Sequence, residues 1–353
     1  MEASIQAAGH RLASRAMRRV DYAASYPNDL LLEGVLWWYD STGDPSYLRH
    51  VLSVIEGRGW KPGDGLNWED QPFVCIQFNL FLTTGNRAWI SRFVETARDF
   101  RARVPRSSDV AVAVYDRPDT GRIFVDYLQN YALWMARAGW LSGDRSFFDE
   151  AVSQYQLHRD ALRDPETGLW SQGRGWGPSP DFVSPLGWLR GHGWILRGMV
   201  ESLTYLPDGE LCHRRMRAML DEFAAALLRY QDDRGMWHQV PHRIDSYQET
   251  TGTGFITHYL SRAVAQGLLA EAPFRPAAQR AAAALAGFVT KDGTVLNGST
   301  GCGPLLHVED YLHRDAPPGE PHTTGTVLMG LAGLFLFTGD KSKMALWRTV
   351  ITP

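Results

Sequence analysis

The chain has 353 residues, 44% hydrophobic and 12% aromatic, and carries a formal net charge of −3. That apolar content is ample for a sizeable core, and a near-neutral charge without blocks of one sign argues against nucleic acid or an anionic membrane as the main partner. Cys75, Cys212 and Cys302 are too few and too scattered for a disulfide framework or a CxxC site.

The N-terminal stretch to Pro27 has no apolar core of signal-peptide length. No run approaches the roughly 20 apolar residues of a membrane helix, so a cytoplasmic protein is expected. From there a turn pattern repeats. WWYDSTGDPSYL turns at Gly43 and LFLTTGNRAWI at Gly85. ARAGWLSGDRSFF turns at Gly143, ESLTYLPDGE near Gly209, RAVAQGLLAEAPF at Gly267 and LFLFTGDKSKM at Gly339. The run before each turn is apolar nearly all round, as in LLLEGVLWWY and TVLMGLAGLFLF. The run after it is one-sided, as in CHRRMRAMLDEFAAALLRYQ. A helix apolar on every side is buried on every side, and a one-sided helix lies at a surface. Six buried and six half-exposed helices predict an all-α fold, a closed (α/α)6 barrel forming a single domain over 1–353. Little sheet is expected; VAVAVY at 110–115 is the best period-two stretch.

Parallel inner helices would bring their N-termini to one end, which also favours anionic groups. The residues at those starts are Asp29 and Glu33; Glu69 and Asp70 before Pro72; Asp126 with Asn130 one turn on; Arg190, His192 and Trp194; Glu249 with Thr250 and Thr251; and His322 with Thr323. GLWSQGRGWG adds Trp170, Gln172 and Trp176 between the third and fourth. Indole faces stack on sugar C–H surfaces, arginine holds a carboxylate with two parallel bonds, and a buried carboxylic acid can donate a proton. The set therefore fits an acidic-sugar pocket. A lone Asp at a helix start is ordinarily an N-cap, so the weight lies in the convergence. Asp126 is the hardest to read as a cap, because FVDYLQN sets it among apolar residues. No GxSxG, HExxH or GxxxxGK[ST] is present, and the histidines lack ligand spacing, so no cofactor or metal is expected.

WLRGHGW at 188–194 resembles the W-x-R-G-[NQ]-x-W signature of the unsaturated glucuronyl and rhamnogalacturonyl hydrolases, glycoside hydrolase families 88 and 105. FVDYLQNYALWMARAGWLSGDRSFFDEAV, HRDALRDPETGLWSQG, YQDDRGMWHQV, DSYQETTGTGF and GSTGCG are similar to that family's further motifs, in order, over about 27–340. The resemblance implies an (α/α)6 barrel that removes a 4,5-unsaturated uronic acid from the non-reducing end of polysaccharide-lyase products. An aspartate protonates C4 of the double bond and water adds at C5. It further implies Asp126 as that acid and Asp70 as a second active-site carboxylate, with Gln172, Trp188, Arg190 and Trp194 lining the pocket. Trp176, His192 and Glu249 complete the expected substrate-binding set. Three positions depart from the pattern. His192 stands where the signature has Asn or Gln, Tyr127 where a second acid is common, and Gln172 where the rhamnogalacturonyl branch has His, whose upstream His has only Tyr115 as a counterpart. These favour a glucuronyl or other uronyl product over a rhamnogalacturonan one. The alternatives are an inverting hydrolase of a saturated glycoside using Asp70 and Asp126, and a catalytically silent sugar-binding protein.

Overall fold

The computed structural model describes residues 2–19, 21–64, 76–113 and 121–338. Its helices are α1 (Glu2–Met17), α2 (Tyr26–Thr42), α3 (Pro45–Gly57), α4 (Ile76–Thr84), α5 (Phe93–Arg103), α6 (Leu133–Ser142), α7 (Arg145–Leu162), α8 (Leu189–Tyr205), α9 (Leu211–Leu228), α10 (Thr250–Ala265), α11 (Glu271–Gly287), α12 (Val308–Leu312), α13 (Pro321–Gly333) and α14 (Phe335–Thr338). The one two-stranded ladder among the described residues pairs β1 (Ile123–Phe124) antiparallel with β2 (Gly173–Arg174). The best period-two stretch, 110–115, shows only an isolated bridge, Arg106 to Val112; residues 114 and 115 lie outside the described residues.

α2, α4, α6, α8, α10 and α13 form the inner ring. α2 packs on α13, α13 on α10, α10 on α8, α8 on α6, and α4 on α2. Phe78 and Phe81 of α4 meet Trp140 of α6, which completes the circuit. α3, α5, α7, α9 and α11 lie outside, so the fold is the all-α (α/α)6 barrel read from the sequence. The turn glycines Gly43, Gly85, Gly143, Gly209 and Gly267 all have φ between 71 and 75°. At Gly143 the left-handed residue lets its N–H close on the Gly139 carbonyl and end α6, a geometry costly for any side chain with a Cβ. Gly339 lies outside the described residues. The inner helices touch closely: a Cβ on Gly34 would come 2.5 Å from the Gly325 carbonyl oxygen, and one on Gly254 equally close to that of Thr326.

The turn map and the quoted motifs begin near residue 27 and assign no helix before it; in the structure α1 packs against α13, α2 and α11 and takes the sixth outer place. Ile5, Leu12 and Ala13 are fully buried, and Gly9 allows the Trp38 ring to lie against the α1 backbone. A 16-residue helix with an apolar stripe at i, i+3, i+4 and i+7 finds its partner about 300 residues later, a pairing that a turn map cannot reveal.

On the barrel axis lies a buried charge cluster. Arg197 of α8 is 2.8 Å from Glu33 of α2, Arg137 of α6 is 2.7 Å from Glu201, and Arg262 of α10 is 3.7 Å from Glu201. Tyr259 donates to Glu201 at 2.8 Å. The arginines press Glu201 down to about 2, whereas burial raises Glu33 despite Arg197. Among the described residues, no helix is long and apolar enough to cross a membrane.

Candidate active site

Asp126 opens the third inner segment. β1 delivers the chain, the Val125 N–H donates to the Gln172 carbonyl at 3.0 Å, and the backbone turns helical at Asp126. A π-helical turn, Leu128–Ala132, widens the start of this helix before α6. Such bulges are common at functional sites because they re-aim side chains. Asp126 is 5% exposed, and its Oδ1 has no hydrogen-bond partner among the described residues. Burial lifts its carboxyl well above the ordinary aspartate range, opposed by the attraction of Arg190.

Arg190 lies in the first turn of α8 and is fully buried. Its Nη2 donates to the Ser299 carbonyl, its guanidinium is 5.5 Å from the Trp188 ring centre, and its Nε has no partner among the described residues. Trp188 caps α8 at φ 42°, ψ 83°, a left-handed conformation rare for a bulky residue. The constrained backbone holds its ring nearly parallel to Phe124, 6.2 Å between centres. Phe124 meets Trp176 at 6.0 Å, and the Arg122 guanidinium lies 4.9 Å over Trp176. A run of aromatic faces thus leads outward from Arg190.

The glycine-rich stretch 298–304 forms the opposing wall. Gln172 Nε2 donates to the Cys302 carbonyl at 2.8 Å, and Gln172 Oε1 accepts from the Tyr311 hydroxyl at 2.6 Å. Gly298 packs against Thr323, and Gly301 leaves room for the Tyr26 hydroxyl. His322 Nε2 donates toward the Ser299 carbonyl at 3.2 Å and Glu320 at 3.0 Å. Burial and then Arg190 hold His322 well below the ordinary histidine range, leaving it neutral, while burial raises Glu320. The half-buried Tyr26 hydroxyl is raised by burial first, and the charges of Arg190, Asp126 and Glu320 also act on it. Asp126, Arg190, Tyr26, Glu320 and His322 therefore share one end of the barrel.

Several expected members sit elsewhere or work differently. His192 faces outward: its ring lies parallel to Phe223 of the outer helix α9, 6.0 Å away, and its Nδ1 donates to the Trp188 carbonyl at 3.4 Å. Burial lowers it to about 4. At 3.6 residues per turn, two steps from Arg190 turns the side chain to the far face, so His192 is a packing residue. Glu249 is a structural cap. It accepts from the amides of Thr251 (2.8 Å), Gly252 (2.6 Å) and Ser299 (2.9 Å), so both oxygens are engaged in a fully buried joint that ties the 298–304 stretch to α10. Gln172 likewise has both ends of its amide engaged and supports the wall. Trp194, one turn below Arg190, is 1% exposed with its ring 4.5 Å from Phe255 and 5.6 Å from the Arg197 guanidinium. It underlies the pocket and separates it from the charge cluster. Asp29 is paired with Arg58 at 2.5 Å, and Glu33 belongs to that cluster. Asp70, Glu69 and Tyr115 lie outside the described residues. Tyr26, Ser299, Tyr311 and Glu320 were not foreseen. The nearest signals were an aromatic residue before a helix-start proline in SYPND and the glycine-rich GSTGCG, which the sequence offers only as a family-like motif. Among the described residues, no group of three or more His, Cys, Asp or Glu could hold a metal ion.

The profile of Glycosyl Hydrolase Family 88 matches residues 6–335. The chain is 25% identical over 340 residues to the unsaturated rhamnogalacturonyl hydrolase YesR of Bacillus subtilis, covering 94% of this chain and 93% of that one. It is 27% identical over 278 residues to an unsaturated 3S-rhamnoglycuronyl hydrolase of Alteromonas sp., covering 74% and 67%. Among solved structures, a family 105 glycoside hydrolase of C. acetobutylicum superposes with a TM-score of 0.79 at 22% identity, covering 94% of this chain and 99% of that one. The unsaturated glucuronyl hydrolase of Bacillus sp. GL1 superposes with a TM-score of 0.68 at 18% identity, covering 94% and 96%. With a family profile spanning nearly its whole length and the barrel those structures share, the chain belongs to Glycosyl Hydrolase Family 88 and is a glycoside hydrolase.

Proposed function

We propose that this enzyme removes a 4,5-unsaturated uronic acid from the non-reducing end of oligosaccharides, with Asp126 as acid and base. The observation that carries the reading is the Asp126 carboxyl: buried, raised well above its ordinary range, unbonded at Oδ1 among the described residues, and opposite Arg190. A carboxylic acid whose environment favours its protonated form is what protonation of a vinyl ether requires. In the proposed reaction Asp126 gives its proton to C4, and positive charge develops at C5 and the ring oxygen. The carboxylate left behind lies beside that charge. It then takes a proton from the water that adds at C5, and the resulting hemiketal opens and releases the remaining sugar. Arg190, with Nε available, holds the uronate carboxylate, and Trp188, Phe124 and Trp176 offer apolar faces to the sugar rings. Asp70 keeps the role of second carboxylate on the sequence resemblance alone, and the cytoplasmic setting rests on the sequence as well.

The leaving sugar is the finer question. The sequence departures favoured a glucuronyl or other uronyl product, whereas YesR and the Alteromonas enzyme are named for rhamnose-containing substrates. Since His192 packs outward and Gln172 supports a wall, neither departure bears directly on the sugar, and rhamnose-linked substrates belong in the first trial. The test is loss of the conjugated-alkene absorbance on a panel of unsaturated di- and trisaccharides from several lyases. Absorbance should fall with at least one of them. A silent wild-type enzyme across the panel overturns the proposal.

A further inference from the structure

Outside the active site, one cavity combines shape with charge of one sign. It measures about 290 Å³ and lies between the end of α1 and the start of α13. Arg15, Arg18 and Arg19 line it, with Ala16 and Leu31 as an apolar floor and Pro321 at its edge. Arg15 lies in the last turn of α1, and Arg18 and Arg19 follow directly after its end, so the chain brings three like charges to one opening. No acidic residue is among those lining the cavity. Arg15 reaches aside to Asp292 at 3.1 Å, and the Arg19 Nε donates to the Asp21 carbonyl at 2.6 Å, which fixes both stems around the opening. Arg18 has no side-chain hydrogen bond or ion pair among the described residues.

The neighbouring acid is turned away. Glu320 sits between Gly319 and Pro321 in the chain, but its carboxylate faces His322 and Arg190 on the other side of the α13 start. The cavity therefore backs onto the active-site wall while carrying the opposite charge balance. Its volume is at the lower end of the roughly 300–1,000 Å³ of small-ligand sites, enough for one compact group or a single sugar ring. Guanidinium groups bind oxyanions through paired charge-assisted hydrogen bonds, and an apolar floor strengthens them.

We propose that this cavity is a second binding site, specific for a fully ionised oxyanion such as a sulfate ester, carried by the oligosaccharide whose unsaturated end is in the barrel. The link to the oligosaccharide rests on the proposed activity; the oxyanion site does not. Titration calorimetry with inorganic sulfate, against sodium chloride at matched ionic strength, tests the site in wild type and Arg18→Glu. Arg18 is exposed, so the variant is expected to fold, and Arg18→Ala serves as a second variant. Sulfate should bind in preference to chloride and weaken at least about tenfold in Arg18→Glu. In parallel, KM for a sulfated unsaturated trisaccharide should rise about tenfold in the variant, with kcat and the KM of the unsulfated analogue unchanged. Loss of sulfate binding without a change in KM keeps the site and overturns the oligosaccharide as its source. Sulfate binding no better than chloride, or equal in wild type and variant, overturns the site. If no unsaturated substrate turns over, the proposed activity fails while the sulfate titration still decides the cavity.

Discussion

Asp126 joins two consequences that point in opposite directions. As general acid it must be protonated, so kcat/KM should fall as pH rises through its elevated pKa. Asp126→Asn should lower kcat by about 10²–10⁴-fold, measured by the absorbance assay. The substitution should act on stability with the other sign, although both quantities in the wild type fall as pH rises. The folded pKa lies above the unfolded one, so the native state binds this proton more tightly. Stability is then greatest below the unfolded pKa and declines as pH rises toward the folded one. Asn removes that penalty. The variant's melting temperature should exceed wild type at neutral pH, and the gap should close toward about pH 4. An inactive variant that is also less stable throughout would mean that Asp126 is a structural cap. His192 gives the contrasting case. His192→Asn, which restores the signature residue, should leave kcat and KM within about twofold. It should cost stability of about 1 kcal/mol through loss of the ring contact with Phe223, measured by denaturant titration. A tenfold change in KM would return His192 to the pocket.

At the scale of elements, the barrel's mouth is only as firm as the joints that hold 298–304 in place. Glu249 binds this stretch to α10, and Gln172 binds it to the start of β2. Glu249→Ala should cost about 0.5–2 kcal/mol as a lost cap, by thermal melting, and should also lower kcat/KM although Glu249 touches no sugar. Unchanged activity would show that the contacts from Gln172, Arg190 and His322 hold the wall without Glu249. This scale also marks where the sequence was readable. The helical hairpins were legible because turn glycines and the switch from all-round to one-sided apolar runs are local signals. Asp126 and Arg190 were legible because a charge among apolar residues is itself a signal. Two things were not. The facing of His192 depends on how α8 is rotated, which the glycines around it obscured. Glu249 reads the same in sequence whether its oxygens face amides or a ligand, and only the 298–304 stretch, some 50 residues away, decides between them.

Across the whole molecule, the barrel interior is split into a chemical end and a structural end by Trp194. Below it, Glu201 accepts from Tyr259 and sits within 4 Å of Arg137, Arg197 and Arg262. Removing one partner of a buried ion pair leaves the others uncompensated, at a cost of roughly 3–5 kcal/mol. Glu201→Ala should therefore lower stability by about that amount in denaturant titration. Its pH profile for catalysis should stay unchanged in whatever fraction folds. A shifted profile would mean that the charge cluster reaches through Trp194 to Asp126.

The place of α1 in the ring bears on how the chain is made. During synthesis α1 leaves the ribosome some 250–300 residues before α11 and α13, against which it packs. At about 5–20 residues per second, Ile5, Leu12 and Ala13 wait tens of seconds for their partners. The ring can close only after α13 has been released. The nascent protein is therefore an open horseshoe with an unmatched apolar rim at each end, and it is in that interval that chaperones have something to hold.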